Sequence, residues 1–376
     1  MKKNLFLSAL LLIIVFNSTV SAQTQEKKNK IVVGVFSGNG AGATSIVETI
    51  EALKIDTGIL PIPVSAADIQ GNILNEIDVL IFPGGSGSKQ LNNLGQSGAD
   101  RVHKFVKKQG KGVVGICAGG YILSTTPTYY SLELTSAKNI DRAHYDRGRG
   151  LVEFKLSEQG FQVFPELKDN SLFLQYYDGP ILQPGDSLNI KYTELGTYVT
   201  DIHPHKGYPS GITPGKSILL TEKVGKGHIF VVAGHPESTP GMRWMIPRMA
   251  RWAANSKLVS YDKKWVRPEL NDSAILFTSE LGKYEKKQRW ALYSDKADEK
   301  ITAMDNLYKI RSRPAVRWNI GLLRDHDPKI RIKAAKLLME TEYTAAITDL
   351  LIAHKVEKNK KVKKQMAKAI DFLSGF

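Results

Sequence analysis

Gly112-Val113-Val114-Gly115-Ile116-Cys117-Ala118-Gly119-Gly120-Tyr121 is the stretch on which the fold turns. A short apolar, β-branched run ends at a residue flanked by glycines, and Tyr121-Ile122-Leu123 is compatible with a helix. This is a strand entering a sharp turn before a helix. Two upstream stretches have the same form. Ile31-Val32-Val33-Gly34-Val35-Phe36 runs into Ser37-Gly38-Asn39-Gly40-Ala41-Gly42 and then a helical Ile46 to Leu53. Ile77-Asp78-Val79-Leu80-Ile81-Phe82 ends at Pro83-Gly84-Gly85, after which Val102, Phe105 and Val106 share one helix face. Apolar strands alternating with helices predict an α/β fold with a parallel sheet covered on both faces.

Further on, the pattern becomes β-rich. Residues 151–164, 172–177, 188–192, 217–221 and 228–233 read as short strands. Gly225-Lys226-Gly227 joins the last two as a hairpin, and Met242 to Ala254 reads as an amphipathic helix. From about Gln288 there are no strand signals. Ala303, Met304 and Leu307 align with Ala334, Ala335 and Leu338, and then with Met366, Ala367 and Ile370. The middle segment, Leu323 to Leu338, resembles the short bacterial HEAT-type repeat, with Asp327-Pro328 suited to a helix start. Stacked helix pairs of this kind form a binding surface rather than a catalytic one.

Composition limits what the chain can be. Its 376 residues fit about two domains. With 42% hydrophobic and 24% charged residues, it is neither collagen-like nor wholly disordered. A single cysteine excludes an intrachain disulfide and argues against a Cys-based zinc site. Of the net charge of +15, +10 lies in residues 281–376, which hold 22 Lys+Arg against 12 Asp+Glu. The run Lys358, Lys360, Lys361, Lys363, Lys364 dominates it. It reads first as a solvated helix face and second as a surface for a protein or polyanion partner. No aromatic interleaving or nucleic-acid motif accompanies it, so nucleic acid is not the expected partner.

The N-terminus carries Lys2 and Lys3, an apolar run from Leu5 to Phe16, and Val20-Ser21-Ala22. That is the pattern of a cleaved export signal, too short to span a membrane comfortably. The mature chain is expected to begin near Gln23, to be periplasmic or secreted, and to contain no transmembrane span.

The chemistry-bearing residues lie at strand ends. Cys117 occupies a turn with the form of a nucleophile elbow. Phe230-Val231-Val232-Ala233-Gly234-His235-Pro236-Glu237 is a strand ending in His-x-Glu, where an imidazole could accept a thiol proton and a carboxylate could orient it. Backbone N–H groups of Pro83-Gly84-Gly85-Ser86-Gly87-Ser88, with that of Ala118, could face a developing oxyanion. Tyr176-Tyr177-Asp178-Gly179-Pro180 could line a cleft. Arg142, with His144, Arg147 and Arg149, could clamp a carboxylate. His203-Pro204-His205 lacks further ligands at suitable spacing, so no metal or cofactor is expected.

In this order, the Gly-rich loop, the cysteine elbow and His-x-Glu resemble the class I glutamine amidotransferase-like superfamily. Within it, the chain is most similar to the biotin-protein ligase N-terminal-domain-like family, over roughly residues 30–255. The resemblance implies a flavodoxin-like three-layer sandwich, followed here by a small all-α HEAT-like region. It also implies Cys117 as nucleophile, His235 as base, Glu237 as orienter, and Gly85 and Ala118 as oxyanion donors. Gly84, Tyr121, Asp178 and Arg142 would contact substrate. Tyr121 stands where glutamine-using relatives carry Gln or a similar polar residue, and no synthetase domain follows, so ammonia transfer is not expected. Arg147-Gly148-Arg149-Gly150 is like the ligase Gly-Arg-Gly-Arg loop, but the ligase catalytic domain is missing. The expected organisation is a signal peptide at 1–22, the amidotransferase-like domain at 23–262, a linker at 263–287 and helical repeats at 288–376. The expected function is an exported Cys-His-Glu hydrolase acting on a small amide or peptide-like substrate. The alternative is a catalytically silent binding module of the same fold, with a helical partner-binding tail at the cell envelope.

Overall fold

The computed structural model describes residues 30–140, 148–168, 170–186, 190–203 and 209–375. The export signal, Arg142, His144, Arg147 and the Pro204-His205 pair lie outside the described residues. The first part of the chain alternates strand and helix. It runs β1 (Ile31–Phe36), α1 (Ala43–Leu53), β2 (Ile59–Val64), α2 (Ala66–Gln70), β3 (Val79–Phe82), α3 (Gly87–Lys107), β4 (Gly112–Ile116) and α4 (Ala118–Leu123). With β11 (Gly227–Val232), these strands form a parallel run in the order β2-β1-β3-β4-β11. That is the flavodoxin-like order, and it reverses between β1 and β3.

Side-chain alternation explains the three layers. Val33 and Val35 of β1, Val79 and Ile81 of β3, and Val114 and Ile116 of β4 face one core, which packs on α1 and on α6 (Met245–Ala253). Val32, Phe36, Leu80, Phe82 and Val113 face the other, which packs on α2, α3 and α4. A strand buried on both faces has no polar side and reads as continuously apolar.

The rest of the 12-stranded sheet is antiparallel, so the sheet is mixed rather than wholly parallel. Beyond β11 come β10 (Ser217–Val224), β9 (Thr193–Tyr198) and β6 (Arg149–Leu156), with β7 (Leu172–Tyr177) paired to β6. β8 (Ile181–Pro184) pairs with β10 and with β5 (Ala137–Ile140). The 225–227 hairpin is present between β10 and β11. Two strand assignments change. Residues 157–164 leave the sheet as α5 (Glu158–Val163), because the Ser157 hydroxyl caps the helix by accepting from Gly160 N at 3.1 Å. The strand expected at 188–192 starts instead at Thr193; residues 187–189 lie outside the described set.

Residues 263–287, read as a linker, contain β12 (Ile275–Leu276), which pairs with β6, and most of α7 (Ser279–Ala291). Gly150 is what admits β12. A Cβ there would lie 1.8 Å from the Ile275 carbonyl oxygen. In this chain, the glycine of the ligase-like Arg-Gly-Arg-Gly run thus serves a sheet edge. The helical region continues with α8 (Ala297–Lys309), α9 (Arg313–Leu322), α10 (Pro328–Glu340), α11 (Ile347–Val356) and α12 (Lys360–Ser374). α7 packs on α8, α9 on α10 and α11 on α12, while α8, α10 and α12 stack in turn. Ala303, Met304, Leu307, Ala334, Ala335 and Leu338 are buried as the periodicity predicts. The third segment is shifted: Met366 is buried, but Ala367 is exposed, and Ala369 and Leu373 complete the core face.

Candidate functional site

The cleft lies at the carboxyl ends of the parallel strands, beside the order reversal, where open α/β sheets bind ligands. Cys117 follows β4, Gly84 and Gly85 follow β3, Gly42 to Ser45 follow β1, and His235 follows β11. Gly42, Ala43, Thr44, Ser45, Gly85, Cys117, Ala118, Tyr121, Tyr177, Asp178, His235 and Arg313 line a space of about 330 Å³. Three of the expected stretches therefore do converge, joined by an arginine from the helical region.

Each wall has a physical cause. Cys117 has φ 51° and ψ −102°, a strained conformation for a non-glycine residue, and α4 beyond it spans only six residues. Its N–H is tied to the Val232 carbonyl at 2.8 Å, which docks the elbow onto β11. His235 is fixed from β7, since its N–H donates to the Gln175 carbonyl at 2.7 Å. The Thr239 hydroxyl bonds the His235 carbonyl at 2.8 Å. Gly84 leaves space for the imidazole, because a Cβ at that position would lie 2.6 Å from His235 Cε1. Tyr121 and Asp178 are used in construction. The Tyr121 hydroxyl donates to the carbonyls of Asp178 and Gly179, both at 3.1 Å. The Asp178 carboxylate accepts from Gly148 N at 3.2 Å and pairs with Arg149 at 3.5 Å.

The expected Cys-His-Glu relay is not formed. His235 Nδ1 and Glu237 Oε1 are 2.7 Å apart, as a triad requires. The Cys117 thiol, however, donates to the Tyr177 carbonyl at 3.3 Å, and His235 Nε2 has no hydrogen-bond partner among the described residues. Cys117 is only 5% exposed. Glu237 is shared with Arg313, whose Nη2 lies 3.5 Å from Glu237 Oε1, so it does not serve the imidazole alone. The hydrolase expectation is corrected on this geometry: the hydrogen bond of the thiol goes to the Tyr177 carbonyl and not to the base it would need.

Arg313, at the first position of α9, is the residue the sequence did not mark. Its Nη2 donates to Glu48 Oε2 at 2.8 Å and to Ser45 Oγ at 3.1 Å, and its guanidinium stands 5.6 Å from the Tyr177 ring centroid. Arg149 sits at 5.7 Å from the same ring, so Tyr177 faces two guanidiniums. Burial opposes charge on Arg313, but Glu48 and Glu237 outweigh it and hold the pKa above the ordinary arginine value. Burial alone would raise Glu237, but His235 and Arg313 bring it below the usual carboxylate range. Burial and Arg313 disfavour the His235 imidazolium, while the neighbouring Cys117 and Glu237 prevail and raise it to about 9. Burial pushes Tyr177 up to about 12. Nothing local in Ser312-Arg313-Pro314 distinguishes this arginine from a solvated helix residue. Its role depends on how α9 meets α1.

Residues 31–137 match the family described as biotin-protein ligase, N terminal. This portion of the chain has that family's flavodoxin-like fold. The match includes Gly84, Gly85, Cys117, Ala118 and Tyr121 but ends before Tyr177, His235, Glu237 and the helical region. No curated protein matches the sequence. Among solved structures, a thua-like protein from Parabacteroides merdae is 13% identical, with 63% of this chain and 99% of that one covered and a TM-score of 0.41. A β-galactosidase from Bacillus circulans sp. alkalophilus is 16% identical, covering 64% of this chain and 32% of its own, with a TM-score of 0.36. The cytoplasmic protein STM3548 from Salmonella typhimurium is 11% identical, covering 60% and 97%, with a TM-score of 0.38. The chain thus spans about a third of the β-galactosidase. Among the described residues there is no group of three or more His, Cys, Asp or Glu placed to hold a metal, and no helix long and apolar enough to cross a membrane.

Proposed function

We propose that the chain is a catalytically silent, amidotransferase-like binding module of the cell envelope. Its strand-end cleft takes a small ligand, and its helical region, read as HEAT-like repeats, offers a partner surface. The observation that carries this reading is Arg313. A side chain from the helical region forms part of the cleft wall, so the two parts of the chain make one site. Occupancy of the cleft and engagement of the helices are then mechanically linked. The basic run Lys358 to Lys364 favours an anionic partner surface, and the Leu5 to Phe16 run with Val20-Ser21-Ala22 favours export.

The test uses the mature chain and its Cys117→Ala variant. Neither is expected to turn over a panel of amides and esters. Both are expected to gain thermal stability from the same small ligands, since a silent module binds without the thiolate. Turnover by the parent chain that Cys117→Ala abolishes would defeat the proposal. N-terminal sequencing of the exported protein should begin near Gln23, and recovery of an uncleaved, cytosolic chain would remove the envelope assignment.

A further inference from the structure

Two residues that line the cleft each carry a buried nitrogen with no hydrogen-bond partner among the described residues. His235 Nε2 and Arg313 Nε are both without a hydrogen-bond partner among the described residues, and both side chains line the same space. The His235 side chain is 2% exposed and that of Arg313 is 12% exposed. An interior polar group left unpaired is costly and rare, so two at one cleft call for an explanation. Another nitrogen of each side chain is already bonded. His235 Nδ1 faces Glu237 Oε1 at 2.7 Å, and Arg313 Nη2 is used by Ser45 and Glu48. Glu237 turns towards the cavity between the sandwich and the helices instead of lining the cleft.

We infer that the cleft binds a small organic acid, whose carboxylate oxygens accept from His235 Nε2 and Arg313 Nε. This rests on the binding-module reading and names the ligand class for that site. A carboxylate supplies acceptors only, which is what two N–H groups need, and charge-assisted bonds of this kind are the strong ones. A neutral amide of the same shape would present an NH2 group to one of the two donors. The remaining walls suit the body of such an acid: Gly42, Ala43 and Ala118 are small, and Tyr121 and Tyr177 are aromatic. An adjoining hollow of about 640 Å³, lined by Pro314, Arg317 and Trp318, shares Thr44, Tyr177 and Arg313 with the cleft.

The charged and titratable groups around His235 decide the pH range. Cys117 reaches it from the elbow, Tyr177 from β7 with its ring edge-on at 6.2 Å, Arg313 from α9 and Glu237 from its own turn. Glu48 of α1 acts through Arg313, and Asp178 is taken by Gly148 and Arg149. The acid needs the imidazolium, so binding should persist while His235 stays protonated and weaken as pH rises past about 9.

The experiment uses the full chain with benzoate and benzamide, which match in shape and differ in charge, and reads binding by calorimetry at millimolar ligand. Benzoate is expected to bind at least about tenfold more tightly than benzamide, the scale of one charge-assisted hydrogen bond. Its affinity should fall about tenfold per pH unit once the imidazolium is lost. Arg313→Gln should lower benzoate affinity by a larger factor than benzamide affinity, narrowing the gap between the two, and circular dichroism identifies a variant that has not folded. Equal binding of the two compounds, or preference for benzamide, overturns the acid assignment while leaving a ligand-binding cleft. Binding of neither by the wild-type chain overturns it too, and the module reading then stands or falls on its own turnover test. A benzoate affinity that does not change through pH 9 removes His235 from the recognition.

Discussion

Strand β4 buries all five of its residues, whereas helix α9 buries only Ala315 and Asn319 among its ten. The two elements meet at the same cleft and are placed there by different forces. β4 is held on both faces by aliphatic side chains and by its neighbours in the sheet, so Cys117 is delivered to its position by the core. α9 is held by ions. Arg313 joins Ser45, Glu48 and Glu237, and close by Arg243 donates to the Glu342 carbonyl and to Thr344 Oγ1, while Arg267 pairs with Glu342. An apolar core tolerates substitutions of similar volume, but a buried charge cluster depends on every member.

Removing one member should therefore be the most damaging change. Arg313→Ala leaves Glu48 buried without its cation and Glu237 with His235 alone, for an expected loss of about 3–5 kcal/mol in denaturant unfolding. A loss under about 1 kcal/mol would show that ions do not set α9 in place. Leu338→Ala, in the core of the helical region, should cost about 2–5 kcal/mol by leaving a cavity. If it and Arg313→Ala produce separate unfolding transitions, the comparison sharpens into two cooperative units. Gly84→Ala should cost about 1–3 kcal/mol through overpacking against His235, and should weaken ligand binding at the cleft.

The pH response comes next. The folded His235 pKa of about 9 lies above the ordinary histidine value of 6.5. Its contribution to stability is complete below about pH 6.5 and is lost as pH rises towards 9. Glu237 is shifted the other way, so its contribution is present above the ordinary carboxylate pKa and lost as pH falls below it. A pH–stability profile should decline on both sides, and His235→Gln should flatten the alkaline arm and, because the imidazole helps hold Glu237 ionised, weaken the acid arm too. The smallest effect belongs to the basic run. Replacing Lys360, Lys361, Lys363 and Lys364 by Gln should change stability by no more than about 0.5 kcal/mol per site. The same replacement should weaken salt-dependent binding to heparin, the polyanion chosen as probe.

Much of the sandwich was legible because its signals are local. Val113-Val114-Gly115-Ile116 declares a two-faced strand wherever it sits, and the glycines around Cys117 declare a tight turn. Cys117, Gly85, Ala118, Tyr121, Asp178 and His235 line one cleft, whereas Gly84 and Glu237, read with them, are not among its lining residues. What failed was the chemistry assigned to them. The direction of the Cys117 thiol depends on the Tyr177 carbonyl 60 residues away in sequence, and no local pattern reports that. Arg313 was missed for the same reason, its carboxylate partner Glu48 being 265 residues distant. The strand reading of 157–164 went wrong over a single hydroxyl: apolar Phe161, Val163 and Phe164 suit either state, and the Ser157 cap selects the helix.

The two-residue strand β12 has a consequence for how this protein can be divided. It enters the sheet from the far side of residue 262, against a glycine that accepts no other side chain, so cutting the chain there would strip an edge from β6 and strand two acids by α1. The first 262 residues alone would be a different molecule with a different cleft. Recombination that replaced the helices with those of another protein would have to keep Ile275, Leu276 and Arg313 for the sheet edge and the cleft wall to survive.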